Sequence, residues 1–448
     1  MTEPAPESTY RERAGTILAL GLPIVGGMIS QNVLNLVDTA MVGVLGPTSL
    51  AAVGIGSFSN FMAIALVMGM SSSVQAMAAR RKGEGREGET AVPLNGGLLL
   101  ALVMGLPILI VLFVFGPTLL PYINSDPAVI AESTPYFQAR LCAIFAVGMN
   151  FAFRGYWNGV SMSRIYFQVL IVMHLSNVLL NYVLIFGALG NPPMGTLGAG
   201  IGSTVATYLG TGLYVFLGFR HARGAGFLRS IPSAATMLTM VRLALPSALQ
   251  QFLFAAGITS LFWIIGQVGT AEVAASNVLV NLLLVAFLPG MGLGLAAASL
   301  VGQALGRGDG AEAQRWGWDV VKLAAIVMAA LGIPALIVPE ILLAGFIHDP
   351  EVLTIARAPL RLLGAAMAID AVGLVLTNAL LGAGAARQVM VVTVSLQWLL
   401  GLPLTWLFGP YLGFGLLGIW GCQFGYRAIQ AAVLSYLWRR GRWAAIRV

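Results

Sequence analysis

Charge is what this chain has least of: only 9% of its 448 residues are Asp, Glu, Lys or Arg, against about 25% in soluble domains. That excludes an ordinary water-soluble globule. Cysteine is nearly absent too, with Cys142 and Cys422 both set in apolar stretches, so no disulfide framework is expected. The three histidines, His174, His221 and His348, are widely separated and suggest no metal site, which leaves a membrane-embedded enzyme without a centre. A phosphate loop of the GxxxxGK[ST] type is missing, so an ATP-driven pump is not expected from this chain alone. Nothing resembles a cleaved signal peptide, because the polar start through Arg13 runs into a span that continues to Gln31, Asn32 and Asn35. No enzyme activity and no cofactor are implied.

What remains is apolar. Hydrophobic residues make up 58% of the chain and fall in runs long enough to cross a bilayer as helix. The 55 glycines suit close helix packing in lipid. Twelve spans are predicted, near 14–42, 49–78, 93–116, 130–159, 165–187, 197–219, 237–266, 272–303, 317–345, 352–382, 388–408 and 415–438. The net charge of +7 reflects membrane orientation and not nucleic acid. Arg80, Arg81, Lys82, Arg86, Arg164, Arg220, Arg307, Arg387 and Arg439 all follow even-numbered spans, which predicts both termini in the cytoplasm. Arg140, Arg357 and Arg361 break the pattern, either snorkelling outward or pairing with nearby acids.

The chain is also written twice. With a shift of about 223 residues, Leu22-Pro23 recurs as Leu245-Pro246, Gly46 as Gly269, Met68-Gly69 as Met291-Gly292, Gly159 as Gly382 and Arg164 as Arg387. An even number of spans per half relates the repeats by a pseudo-twofold axis along the membrane normal, with a cleft between them. The expected fold is therefore an all-α integral membrane protein of twelve helices in two six-helix lobes. Residues 1–222 form the N-lobe, 223–236 a cytoplasmic linker and 237–448 the C-lobe.

Of the 17 acidic residues, two sit well inside spans: Asp38 in the first and Asp370 in the tenth. Glu132, Asp319 and Glu340 lie near span ends, within reach of solvent or headgroups. A charge at mid-helix costs about 2.5–3.5 kcal/mol on insertion scales, so such acids usually face a cavity and serve function. The structural alternative is an acid paired with a buried Arg. Gln31, Asn35 and Asp38 are spaced i, i+4, i+7 and share one helix face. Asn177 and Asn181 form an i, i+4 pair in span five, and Thr204 lies in span six. A carboxyl among such oxygens can hold a proton, since burial disfavours its charged form, or a small hard cation. The plainer reading of Asn177 and Asn181 is hydrogen bonding between helices.

These residues carry a resemblance to multidrug and toxic compound extrusion (MATE) transporters. Leu36-Val37-Asp38-Thr39 resembles the family's acidic first-helix motif, and Asn177 through Asn181, Tyr182, Phe186 and Gly187 resembles its span-five signature. Asn281 with Pro289-Gly290 and Val301-Gly302-Gln303 resembles span eight. Asp370-Ala371-Val372 with Leu381-Gly382-Ala383-Gly384 resembles span ten. The resemblance covers essentially the whole chain. It implies outward export of cationic or amphipathic compounds against an inward flow of protons or Na+ in a bacterial inner membrane. It also places Asp38, Asn177, Asn181 and Thr204 on the N-lobe cation site and Asp370 on a second-lobe acid. Asn181 stands where many relatives carry Asp, and Phe254 where one branch carries a span-seven Glu, with Gln250 and Gln251 the nearest polar residues.

A cation at Asp38 would neutralise it and let its helix relax, near Pro23 and Gly26-Gly27; substrate and ion then act reciprocally on each other. Met28, Met62, Phe61, Trp263, Gln31, Asn35, Gln250, Gln251 and Asn281 are candidate cleft residues, although packing or lipid contact is the plainer role for the apolar ones. Expected partners are small organic molecules and the bilayer. The oligomeric state stays open, and a monomer satisfies the sequence. A flippase for lipid-linked saccharides is the competing function; a large anionic headgroup would require cations in the cleft, whereas the basic residues concentrate in loops.

Overall fold

Apolar segments longer than about 20 residues can satisfy their backbone in lipid only as helices. The computed structural model, which describes residues 9–190 and 192–448, shows that outcome: helices joined by short turns, with no strand among the described residues. In chain order the helices are α1 (Tyr10–Gly43), α2 (Pro47–Gly83), α3 (Val92–Leu119), α4 (Pro127–Leu141), α5 (Ile144–Gly159), α6 (Ser163–Phe186) and α7 (Gly195–His221). They continue with α8 (Ala234–Gly266), α9 (Thr270–Gly306), α10 (Gly310–Ile337), the short α11 (Pro339–Ala344) and α12 (Pro350–Gly382). The chain ends with α13 (Ala386–Ser395), α14 (Leu402–Trp406) and α15 (Gly415–Arg440).

All twelve expected segments are helical, but three are not the single rods that periodicity suggests. Span four is α4 and α5 joined across a 48° bend. Span nine ends where Pro339 lacks the N–H that would continue α10, and α11 starts afresh on that proline. Span eleven carries two π-helical turns, Leu396–Gly401 and Leu407–Tyr411, beside Pro403 and Pro410. Each missing donor there shifts the hydrogen-bond ladder locally. Ten described helical segments are long and apolar enough to span a membrane alone, and the bent pair makes an eleventh. The last, α15, is long enough by its 26 residues but carries Gln423 and Arg427 at its middle.

The contacts gather the chain into two compact units. Among the described residues, one joins 9–25 with Leu253–Arg447, and the other is Gly26–Phe252. The divisions fall inside α1 and α8. Pro23 precedes the first division by two residues and Pro246 the second by six, and each leaves a carbonyl one turn earlier without its usual donor. Each proline-bearing helix thus lends its first half to one unit and its second half to the other.

The first half of α1 is built into the first-named unit. Ile17 and Leu20 are buried in a cluster with Leu293, Ala296, Val301, Val320 and Leu376. Arg13 Nε lies 2.6 Å from Asp319 Oδ2, and its guanidinium stacks 3.8 Å above the Trp316 ring. Asp319, expected within reach of solvent, keeps 13% of its side chain exposed beside that pair. Of the cations that broke the charge pattern, Arg357 pairs with Glu340, and Arg361 lies 3.9 Å from the same carboxylate.

The repeat is visible in contacts as well as in letters. At Gly69 a Cβ would collide with the backbone of α8, at the Ala244 carbonyl and 2.8 Å from the Ala248 nitrogen. At the repeat-related Gly292 a Cβ would lie 2.5 Å from Val25 Cγ2 and 3.1 Å from the Val25 nitrogen of α1. Gly159 packs on the Gln75 carbonyl, and Gly382 on the Ala298 carbonyl, positions again about 223 apart. Within each unit, then, repeat-related helix pairs meet through a glycine at the corresponding position.

Candidate functional site

The polar face of α1 meets the polar face of α6 inside the Gly26–Phe252 unit. Asn181 is fully buried, and its Nδ2 donates both to Asp38 Oδ1 at 2.8 Å and to Asn177 Oδ1 at 2.9 Å. Asp38 is half-buried, and Asn177 is buried. The i, i+4 spacing puts Asn177 within reach of the same amide, so one side chain ties the acid on α1 to α6. Gly202 of α7 leaves room for this arrangement, because a Cβ there would collide with Asn181 Oδ1. That oxygen is buried and has no hydrogen-bond partner. A buried amide oxygen without a donor costs about 1–3 kcal/mol, which a cation or a proton donor would relieve.

Thr204 does not join them through its proton. Its hydroxyl donates to the Ala139 carbonyl of α4 at 2.8 Å, tying α7 to α4 beside the acid. Arg140, next along α4, acts on Asp38 electrostatically, and its Nε is buried without a hydrogen bond. Gln31 and Asn35 are exposed on the Asp38 face, linked by Gln31 Nε2 donating to Asn35 Oδ1 at 3.2 Å. Met28 and Met62 are half-buried and Phe61 is exposed in the same unit, where Gln250 and Gln251 sit half-buried on α8. Trp263 and Asn281 belong to the other unit; Trp263 is 66% exposed, and Asn281 bonds back to the Asn277 carbonyl.

Sequence reasoning set His174 aside as one of three scattered histidines. It is buried, and its ring lies between two α1 side chains: Nδ1 is 2.5 Å from Ser30 Oγ and Nε2 is 3.1 Å from Gln31 Oε1. The signal was present: His174, Asn177 and Asn181 are spaced i, i+3, i+7 and share one face of α6. Among the described residues no group of three or more His, Cys, Asp or Glu could hold a metal ion. The chemistry available at Asp38 is one carboxylate with neutral amide oxygens, a donor set for a proton or a small hard monovalent cation.

Asp370 has a different environment. It is buried in α12, with its Oδ2 3.2 Å from Arg427 Nη1 of α15. Arg427 also donates to the Gln423 carbonyl and lies over the Phe287 ring. Removing one partner of such a pair costs about 3–5 kcal/mol, whereas replacing both with apolar residues is often neutral. Asp370→Leu alone should therefore lower the melting temperature sharply, and Asp370→Leu with Arg427→Leu should recover most of it. Recovery of stability with full export assigns Asp370 to the frame. Recovery of stability without export assigns it to transport.

Comparison with known proteins agrees with this architecture. The MatE family model matches twice, at residues 23–183 and 246–407, two starts separated by the repeat shift. A probable multidrug resistance protein NorM of Synechococcus is 27% identical over 426 residues, covering 92% of this chain and 90% of its own. The multidrug resistance protein MdtK of Yersinia pseudotuberculosis is 27% identical over 444 residues, covering 97% and 96%. Among solved structures, a multidrug resistance MATE family transporter of the MOP superfamily in an outward-facing conformation superimposes with a TM-score of 0.89 at 21% identity, covering 96% of each chain. The same fold recurs in a MOP superfamily transporter from Pyrococcus furiosus, with a TM-score of 0.86 at 21% identity and 96% of each chain covered.

Proposed function

The chain belongs to the MatE family of transporters, and from that premise we propose that it is a cation-coupled antiporter, exporting cationic or amphipathic organic compounds by alternating access. The coupling ion is a proton or Na+, bound at Asp38 with Asn177 and Asn181 beside it. The protein sits in a bacterial inner membrane with both termini in the cytoplasm, an orientation that the concentration of Arg and Lys after even-numbered spans supports.

One observation carries this reading: the buried Asn181 amide donates to the Asp38 carboxylate while its own oxygen has no partner. With Asp38 ionised, the amide N–H is the right group to face it. A proton or cation arriving at Asp38 neutralises the carboxylate and weakens this charge-assisted hydrogen bond. The Asn181 oxygen, buried without a donor, is an available ligand at the same site. Ion binding therefore changes the tie between α1 and α6, and α1 carries the change along its length. A cationic substrate competes for the same carboxylate, so the coupling free energy acts equally on ion and substrate.

Purified protein in liposomes, loaded with fluorescent organic cations and given proton and Na+ gradients separately, tests this. Export driven by at least one gradient is the expected result. Export driven by neither would sink the antiporter reading.

A further inference from the structure

We propose that His174 is a positioning residue for the coupling-ion site. Its neutral imidazole pins the face of α1 that carries Gln31, Asn35 and Asp38 against α6. The proposal rests on the reading of Asp38 as the ion-binding group.

The hydrogen-bond pattern assigns the roles of the two ring nitrogens. Gln31 Nε2 donates to Asn35 Oδ1 at 3.2 Å, so the Gln31 oxygen faces the ring and can only accept. His174 Nε2 must then carry the proton. Nδ1 accepts from the Ser30 hydroxyl at 2.5 Å. One neutral ring thus serves as donor and acceptor to adjacent α1 residues, with both nitrogens satisfied. The second tie between these helices, Asn181 to Asp38, lies seven residues further along α6, about 10 Å by helical rise. Two ties at that separation hold both the rotation and the sliding of α1. With the first removed, Asp38 hangs on Asn181 alone, and its orientation toward the ion is set by thermal motion.

The repeat shows what is particular to this half. The shift of about 223 places Gln397 at the position of His174 and Phe254 at that of Gln31. Gln397 Nε2 donates to the Phe254 carbonyl at 3.4 Å, and Trp398 Nε1 donates to the Leu253 carbonyl at 3.2 Å. A polar bridge at this level is therefore built into both halves. In the second half it reaches only backbone, and Leu261, Leu400 and Leu404 replace Asp38, Asn177 and Asn181. In the first half it grips side chains on the acid's own face. Scaffold and ion site share one bridge only there.

The test is the ion dependence of thermal stability of the full-length protein in detergent, melted across Na+ concentration and across pH. An ion that binds only the folded state raises the melting temperature, with a midpoint at its apparent affinity. His174→Ala should shift that midpoint about tenfold toward weaker binding, or about one pH unit lower for a proton, the value of one buried hydrogen bond. His174→Gln keeps one donor and one acceptor, the donor being the group its counterpart Gln397 uses, and should return the midpoint to within about threefold of wild type. Gln397→Ala breaks the bridge in the other half and should lower melting at every ion concentration without moving the midpoint. If His174→Ala fails to fold, Gln31→Leu removes the ring's acceptor from an exposed position and carries the same expected shift. An unmoved midpoint in His174→Ala, or an equal shift in Gln397→Ala, overturns the proposal while leaving the ion site intact. Wild-type protein with no midpoint for either ion overturns the ion-coupled reading itself and this proposal with it.

Discussion

Asp38→Asn should reduce gradient-driven export to the level of empty liposomes while the protein remains folded. The substitution is close to isosteric, and the new amide oxygen can still accept from Asn181 Nδ2, so the tie to α6 survives. What disappears is the charge. A proton then has no carboxylate to bind, and Na+ is left with neutral oxygens only. Neutralising an acid within a span also removes a cost of about 2.5–3.5 kcal/mol at the helix centre, so the melting temperature should hold or rise. That combination separates the substitution from ordinary damage, in which export and stability fall together. Wild-type export by a well-folded Asp38→Asn protein would remove the central residue from the mechanism.

The second large effect concerns packing. Gly69→Leu should prevent accumulation of folded protein, and Gly292→Leu should do the same through the repeat-related contact. At Gly69 the obstacle is the α8 backbone at Ala244 and Ala248, which cannot rotate away as a side chain tip can. At Gly292 it is Val25, on the last α1 residue of its unit. Forcing extra volume into a packed core costs about 1–3 kcal/mol where neighbours can shift, and more where they are backbone. Gly54, where an added Cβ meets nothing within 4 Å, is the control: Gly54→Ala should leave folding unchanged. Size-exclusion profile and melting temperature in detergent measure all three. Normal folding of Gly69→Leu would mean that α2 and α8 do not approach as closely as described.

The legible and illegible parts of this protein divide by the range of the interactions involved. Span lengths, the duplication and the placement of Asp38 were all readable, because each is a local property of the chain. A long apolar run must be helix in lipid, a shared register survives divergence, and an acid at mid-span stands out by its cost. The i, i+4 pair of Asn177 and Asn181 was readable for the same reason. Prolines 339, 403 and 410 could be seen, but not whether each would break, bend or locally rewind its helix. That depends on which neighbours take up the freed carbonyls.

Pairings between distant segments were not legible. Asp370 and Arg427 are 57 positions apart, and nothing in the period of either helix indicates that their side chains meet. His174 seemed unremarkable until α6 was laid against Ser30 and Gln31, residues 144 and 143 positions away. Thr204 was placed beside Asp38 by motif, yet its proton goes to the Ala139 carbonyl. The chain's crossing between units inside α1 and α8, past Pro23 and Pro246, was equally invisible, because each is a single helix along the chain. By itself, then, the amino-acid sequence determined that this is a duplicated, twelve-segment helical membrane protein with an acid well inside its first helix. Only the tertiary structure decided which partners that acid has, which other acid is neutralised by an arginine, and which helix halves pack together. Helical period specifies the face a side chain occupies, whereas the residue it meets depends on how close two backbones come, and here glycines on both sides of the repeat set that distance.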